Sequence, residues 1–190
     1  RRFKGARAVE AAGGPRAIAI DGKFEDWAAA TPVYRDTIGD TAHRKAAGIG
    51  TAGPYVNETG RNDIVEARVA YDAENVYFYA RTREALATAE SYRCMYLWID
   101  VDRTTEPMRA VASDPRDTPE WGGFEFRAWM LPYIKQTSTR GSNAYYWLNA
   151  RGEKVGEPLQ WRRGEHELEL AIPRAQLGLA APTAPRLDFK

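Results

Sequence analysis

The chain has 190 residues, a net charge of +1, 44% hydrophobic and 28% charged residues. That length suffices for one domain that buries its own core, and the near-neutral balance gives no reason to expect nucleic acid or an anionic membrane as partner. The single cysteine, Cys94, excludes an internal disulfide and a cysteine-based zinc site, and no apolar run approaches the ~20 residues of a membrane-crossing helix.

Residues 1–16 are basic, then rich in Ala and Gly, and are expected to be a linker from an upstream segment. Residues 17–190 are expected to form one module. Its first strand is predicted over 17–20, closed by Asp21-Gly22, followed by a helical turn around Trp27 and a short strand near 31–34. Residues 36–62 hold many Gly, Thr and charged residues with little periodicity, so a long loop is expected. Val65, Ala67 and Val69 alternate, a turn cluster follows at Tyr71-Asp-Ala-Glu-Asn75, and residues 76–81 return. This pattern predicts a β-hairpin.

The strongest strand signals are residues 94–100 and 124–130, separated by a polar stretch carrying Pro107, Pro115 and Pro119. Alternation puts Met95, Leu97 and Ile99 on one face of the first strand and Tyr96, Trp98 and Asp100 on the other. In the second strand Phe124, Phe126, Ala128 and Met130 oppose Glu125, Arg127 and Trp129. Further strands are predicted at 144–150, 157–162 and 165–172, then a helical turn ending at Gly178 and a last strand from 186. Many short strands with almost no helix predict an all-β fold, an antiparallel β-sandwich, with a barrel as the alternative.

The order of these signals resembles the family 9 carbohydrate-binding modules and the wider DOMON-like β-sandwiches. The matching pieces are Ile20-Asp-Gly22 with Trp27, Asn62-Asp63, Val69-Ala-Tyr-Asp72 with Val76-Tyr-Phe-Tyr79, and Leu97-Trp-Ile-Asp-Val-Asp102. Trp121-Gly-Gly-Phe-Glu-Phe126, Leu168-Glu-Leu-Ala-Ile-Pro173 and Leu187-Asp-Phe-Lys190 complete the series. The resemblance implies a non-catalytic module appended to a larger bacterial carbohydrate-active protein such as a glycoside hydrolase, in an extracellular or envelope setting. It also implies a sugar held between tryptophans in some members and calcium in others. The sequence departs at Glu90-Ser-Tyr92, where such modules place a binding Trp, and it stops at Lys190, short of a segment that supplies a second aromatic.

If the strands at 94–100, 124–130 and 144–150 lie side by side, one face carries Trp98, Arg127, Trp129, Tyr145, Trp147 and Glu125, with Tyr96 and Asn149 beside them. Sugars stack their C–H faces on aromatic rings, while charged groups beside the rings bind hydroxyls and fix orientation. Tyr77, Tyr79 and Arg81 are expected to extend that face. The same rows equally suit packing against a neighbouring domain. Asp100 and Asp102 offer hard oxygen ligands for calcium. A haem-binding alternative draws on His43, His166 and the methionines Met95, Met108 and Met130. Catalysis has no ordered constellation to support it, and Glu167 and Glu169 are expected on a solvated strand face.

Overall fold

In the computed structural model, the described residues are 11–42, 44–46, 55–60, 62–86, 95–101, 126–130, 147–149, 159–179 and 183–189. They form eleven strands with two short 3-10 helices, Phe24–Ala29 and Arg174–Leu177. The strands are β1 Val33–Arg35, β2 Arg44–Ala46, β3 Tyr55–Asn57, β4 Ile64–Tyr71, β5 Asn75–Thr82 and β6 Met95–Asp100. They continue as β7 Phe126–Met130, β8 Trp147–Asn149, β9 Gln160–Arg163, β10 Glu167–Pro173 and β11 Asp188–Phe189. One sheet runs β1-β4-β5-β10-β9, a second β11-β6-β7-β8, and β2 pairs with β3 alone. Every pairing is antiparallel, so the fold is all-β as the strand pattern predicts.

The two larger sheets bury their apolar rows in one shared core. Val76 and Phe78 of β5 and Leu168, Leu170 and Ile172 of β10 meet Leu97 and Ile99 of β6 and Ala128 of β7. These are alternate residues of each strand, which is what a sheet with one buried face requires. Trp161, preceded by Leu159, closes the core beyond β10, and Phe189 packs edge-on to Phe78 with ring centroids 5.6 Å apart.

The β4–β5 hairpin forms as expected. Its turn is set by Asp72, whose carboxylate accepts the backbone N–H groups of Glu74 at 2.8 Å and Asn75 at 2.7 Å. The simple alternation in β4 needs one correction. A bulge between Ile64 and Glu66 shifts the register, so Ile64 shares the inter-sheet side with Ala67 and lines the same cavity as Phe78 and Leu97.

Two other expectations change and a third holds. Residues 17–20 form no strand; Ile18 is buried and the Ala19 N–H bonds to the Asp26 carboxylate at 3.1 Å. The long loop at 36–62 contains the β2–β3 hairpin. The helical turn after β10 does end at Gly178, whose φ of 67° is the left-handed value glycine accepts freely.

A second apolar cluster explains the first of these changes. Ile18, Trp27 and Ala30 pack on Ala70, Tyr77, Tyr79 and Ala171, on the face of the five-stranded sheet away from the core. The small side chains of Ala70 and Ala171 flank Tyr77 in register and leave room for the segment that crosses them. That segment buries the sheet with side chains rather than extending it with hydrogen bonds.

Candidate functional site

The row expected to carry ligand lies on the sheet β11-β6-β7-β8, and those strands do run side by side. Register pairs Trp98 with Arg127 and Tyr96 with Trp129. Residues directly opposite in an antiparallel pair share a face, so these positions form one aromatic and charged row as expected. The next strand departs from expectation. Trp147 pairs with Ala128 and Asn149 with Phe126, while Leu148 pairs with Arg127. The row through Trp98 and Arg127 therefore continues to position 148, and positions 147 and 149 belong to the row of Leu97 and Ala128. A one-residue difference in register exchanges the two faces of a strand.

Trp98 and Asp100 are each only 9% exposed, so both are largely covered. Asp100 faces Asp188 directly across β6 and β11. Opposed carboxylates disfavour a sheet unless positive charge sits near them. Asp102, Glu125 and Tyr145 lie outside the described residues, as do the side chains of Arg127, Trp129 and Trp147, and His43, Cys94 and Met108.

Tyr77, Tyr79 and Arg81 do not extend that row. They sit on the outer face of the other sheet, with Phe78 between them pointing into the shared core. Trp27 stacks on Tyr79 with centroids 5.3 Å apart and an interplanar angle of 28°, and its indole N–H donates to Glu169 Oε2 at 2.9 Å. The Gly22 N–H donates to Glu169 Oε1 at 2.7 Å. Glu169 is thus fully buried, not part of a solvated face. Alternation correctly puts Glu167 and Glu169 outward from the core, but the N-terminal segment folds over Glu169.

Burial pushes the Glu169 carboxyl above its usual range, and the bonds from Trp27 and Gly22 recover only part of that cost. Glu66 shows the opposite balance. Burial raises its pKa, but hydrogen bonds and charge from Arg68 and Arg81 outweigh it and hold the group below the ordinary value. Arg68 joins this cluster to the N-terminal segment: its Nε donates to Glu66 at 2.8 Å and its Nη1 to the carbonyls of Trp27, Ala28 and Ala30. Those carbonyls lie at the end of the 3-10 helix, where Trp27 O also accepts the Ala30 N–H at 3.0 Å. Burial, then the bond to Asp72, pushes the Tyr77 phenol up to about 12. Burial and the bond to Glu167 raise Tyr79 as well. Among the described residues this face is a packed layer whose rings and carboxylates bond to one another and to the segment that covers them.

One open site was not singled out in the sequence. A groove of about 480 Å³ lies between β1 and β11, where the edges of the two sheets meet. Tyr34, Tyr71 and Phe189 supply aromatic walls, Pro32 and Val69 the floor, and Arg186 and Asp188 the polar rim. Tyr34 is 42% exposed and meets Phe189 edge-on at 5.2 Å. The volume falls within the ~300–1,000 Å³ of small-ligand pockets. The sequence signal was available in part: Tyr34 occupies a short strand and Phe189 closes the chain's last one. Their meeting depends on which edges the sheets bring together.

Among the described residues no group of three or more His, Cys, Asp or Glu side chains converges as a metal-holding cluster. Asp100 thus offers one carboxylate opposite Asp188, which does not by itself make the expected calcium site. None of the described helices is long and apolar enough to cross a membrane. No protein-family model, curated protein or solved structure matches this chain.

Proposed function

We propose that this chain is a non-catalytic carbohydrate-binding β-sandwich module. The observation that carries the reading is the groove between β1 and β11, where exposed Tyr34 stands beside Phe189 with Arg186 and Asp188 at the rim. Aromatic walls offer stacking surface for sugar C–H groups, and the rim pair offers a donor and an acceptor for hydroxyls. The outer face of the five-stranded sheet is already covered by residues 18–30, whereas the groove is open. The resemblance of the strand motifs to family 9 modules supports the same reading, and with it an extracellular or envelope setting in a larger carbohydrate-active protein is part of the proposal.

The test is a glycan array with the intact chain, followed by calorimetric titration of any glycan retained. Tyr34→Ala is expected to weaken binding about tenfold, equivalent to about 1.4 kcal/mol. Absence of affinity for every glycan tested sinks the proposal; affinity unaffected by Tyr34→Ala moves the site away from the groove.

A second reading is favoured by Trp98, which is 9% exposed and therefore already packed. Here the module is a structural accessory whose aromatic row serves protein contacts. It predicts no sugar-induced change in Trp fluorescence and protection of the β6–β7 face when a neighbouring domain is present.

A further inference from the structure

We propose that Arg35 and Arg81 hold a phosphate or sulfate group on the outer face of the five-stranded sheet. Register sets Arg35 of β1, Glu66 of β4, Arg81 of β5 and Glu167 of β10 in one row across four strands. Directly opposed residues share a face, so these side chains stand together. Arg35 Nη1 donates to Glu66 Oε2 at 3.1 Å, and Arg81 Nη2 donates to the same oxygen at 3.4 Å. Arg68 Nε donates to the other oxygen, Oε1, at 2.8 Å. Two guanidinium groups that meet on one oxygen are near neighbours.

The charges of this row do not balance. Three guanidinium groups gather on the one buried carboxylate of Glu66. Glu167, next in the row, accepts the Tyr79 hydroxyl at 2.7 Å, and with both carboxylates counted the cluster is still net positive. Arg68 is largely covered and also bonds the carbonyls of Trp27, Ala28 and Ala30. Arg35 and Arg81 stand open to solvent instead, with side chains 65% and 40% exposed. A guanidinium has five N–H donors, and the contact with Glu66 uses one from each, so both forks keep donors for a solute. Like charges held side by side repel, and an anion that bridges them relieves the repulsion.

The geometry selects the kind of anion. A carboxylate has two oxygens, and one guanidinium fork fills both. Two forks on different strands call for further oxygens, which a tetrahedral phosphate or sulfate group supplies. Glu66 spaces the two arginines and fixes them in place, but its single charge cannot neutralise both. Solvent exposure and salt screening keep the affinity weak, on the order of 1 mM. Tyr34 precedes Arg35 on β1 and lines the β1–β11 groove, so alternation puts the two on opposite faces. The anion site therefore stands whether or not the groove binds carbohydrate.

The experiment is thermal unfolding of the intact chain at neutral pH, with sodium phosphate or sodium sulfate exchanged for sodium chloride at constant ionic strength. Both ions stabilise proteins generally by exclusion from the surface, but that effect does not saturate; a saturable rise in Tm below about 20 mM is the expected result. Arg35→Gln, at an exposed strand edge, is expected to move the midpoint at least about tenfold upward, and Arg81→Gln carries the same test if that variant does not fold. Arg35→Lys keeps the charge but loses the fork, and its midpoint is expected between those of Arg35→Gln and the unaltered chain. Sodium acetate is expected to give no saturable rise. Glucose 6-phosphate distinguishes the sources of the group: a midpoint below that of inorganic phosphate assigns the site to an ester, and one above it to the free ion. No saturable rise with phosphate or sulfate overturns the proposal and leaves the arginines as partners of Glu66 alone. A rise unchanged in both glutamine variants overturns it by placing the anion elsewhere, and an acetate midpoint equal to that of phosphate overturns the tetrahedral assignment.

Discussion

Replacing Trp27 by Phe isolates one bond of the layer that covers the five-stranded sheet. The substitution keeps an aromatic ring against Tyr79 but deletes the N–H that donates to Glu169 at 2.9 Å. Glu169 is a fully buried acceptor, and wherever its carboxyl is ionised a hydrogen bond to it contributes about 1.5–3 kcal/mol. Trp27→Phe is therefore expected to cost about 2 kcal/mol, or roughly 4–8 °C in Tm for a chain of this size. The cost should also depend on pH. Glu169 is raised above its ordinary value of 4.5, chiefly by burial. A group raised on folding contributes stability that is fully present below the unfolded pKa and is lost as pH rises through the folded pKa. The Trp27 bond opposes that loss because it favours the ionised form, so removing it hurts most at high pH. Once Glu169 is protonated the bond is neutral and its loss costs only about 1 kcal/mol. Urea unfolding of both proteins from about pH 8 to about pH 5 measures this directly. A penalty that is flat with pH, or one below about 0.5 kcal/mol throughout, would refute the assignment of Glu169 as the charged acceptor.

Two further predictions concern the same face. Tyr77→Phe removes the hydroxyl that donates to Asp72 at 2.5 Å and is expected to cost about 1.5 kcal/mol in urea unfolding at neutral pH. Partial burial raises the pKa of Asp72, but Tyr77 and the turn amides hold it below 3.8, so the stability it contributes is present above that value and lost as pH falls through the folded pKa. Its penalty should fade in that acid window, and the phenolate absorbance step at about 12 should be missing from the variant. Arg68→Lys keeps the charge but replaces a planar fork that bonds Glu66 and three carbonyls at once. A loss of about 2 kcal/mol is expected, and a change within about 0.5 kcal/mol would show that charge alone suffices.

Where the sequence was readable, the signal was local. Asp72 stands where its carboxylate takes two turn amides, so the β4–β5 hairpin follows from chemistry within five residues. Leu168, Leu170 and Ile172 declare their buried face through period alone. Trp147 shows the limit. Its strand was legible, but pairing it with Ala128 rather than Arg127 is a matter of register, and residues 131–146 carry no signal that counts the offset. The groove at Tyr34 and Phe189 joins residues 155 positions apart and is invisible to any window on the chain.

The sequence by itself determined the all-β class, most strands and the inward row of each, because side-chain alternation and turn chemistry act between near neighbours. Only the tertiary structure decided what covers the outward rows. Residues 17–20 have strand character, yet they bury Ile18 and carry Trp27 across the sheet instead of joining it. That choice depends on Ala70 and Ala171 leaving space beside Tyr77, and on Glu169 waiting as acceptor for Trp27. Fit between distant surfaces is a property of the folded arrangement, so two glutamates two positions apart on one strand, Glu167 and Glu169, look alike until Trp27 arrives above one of them.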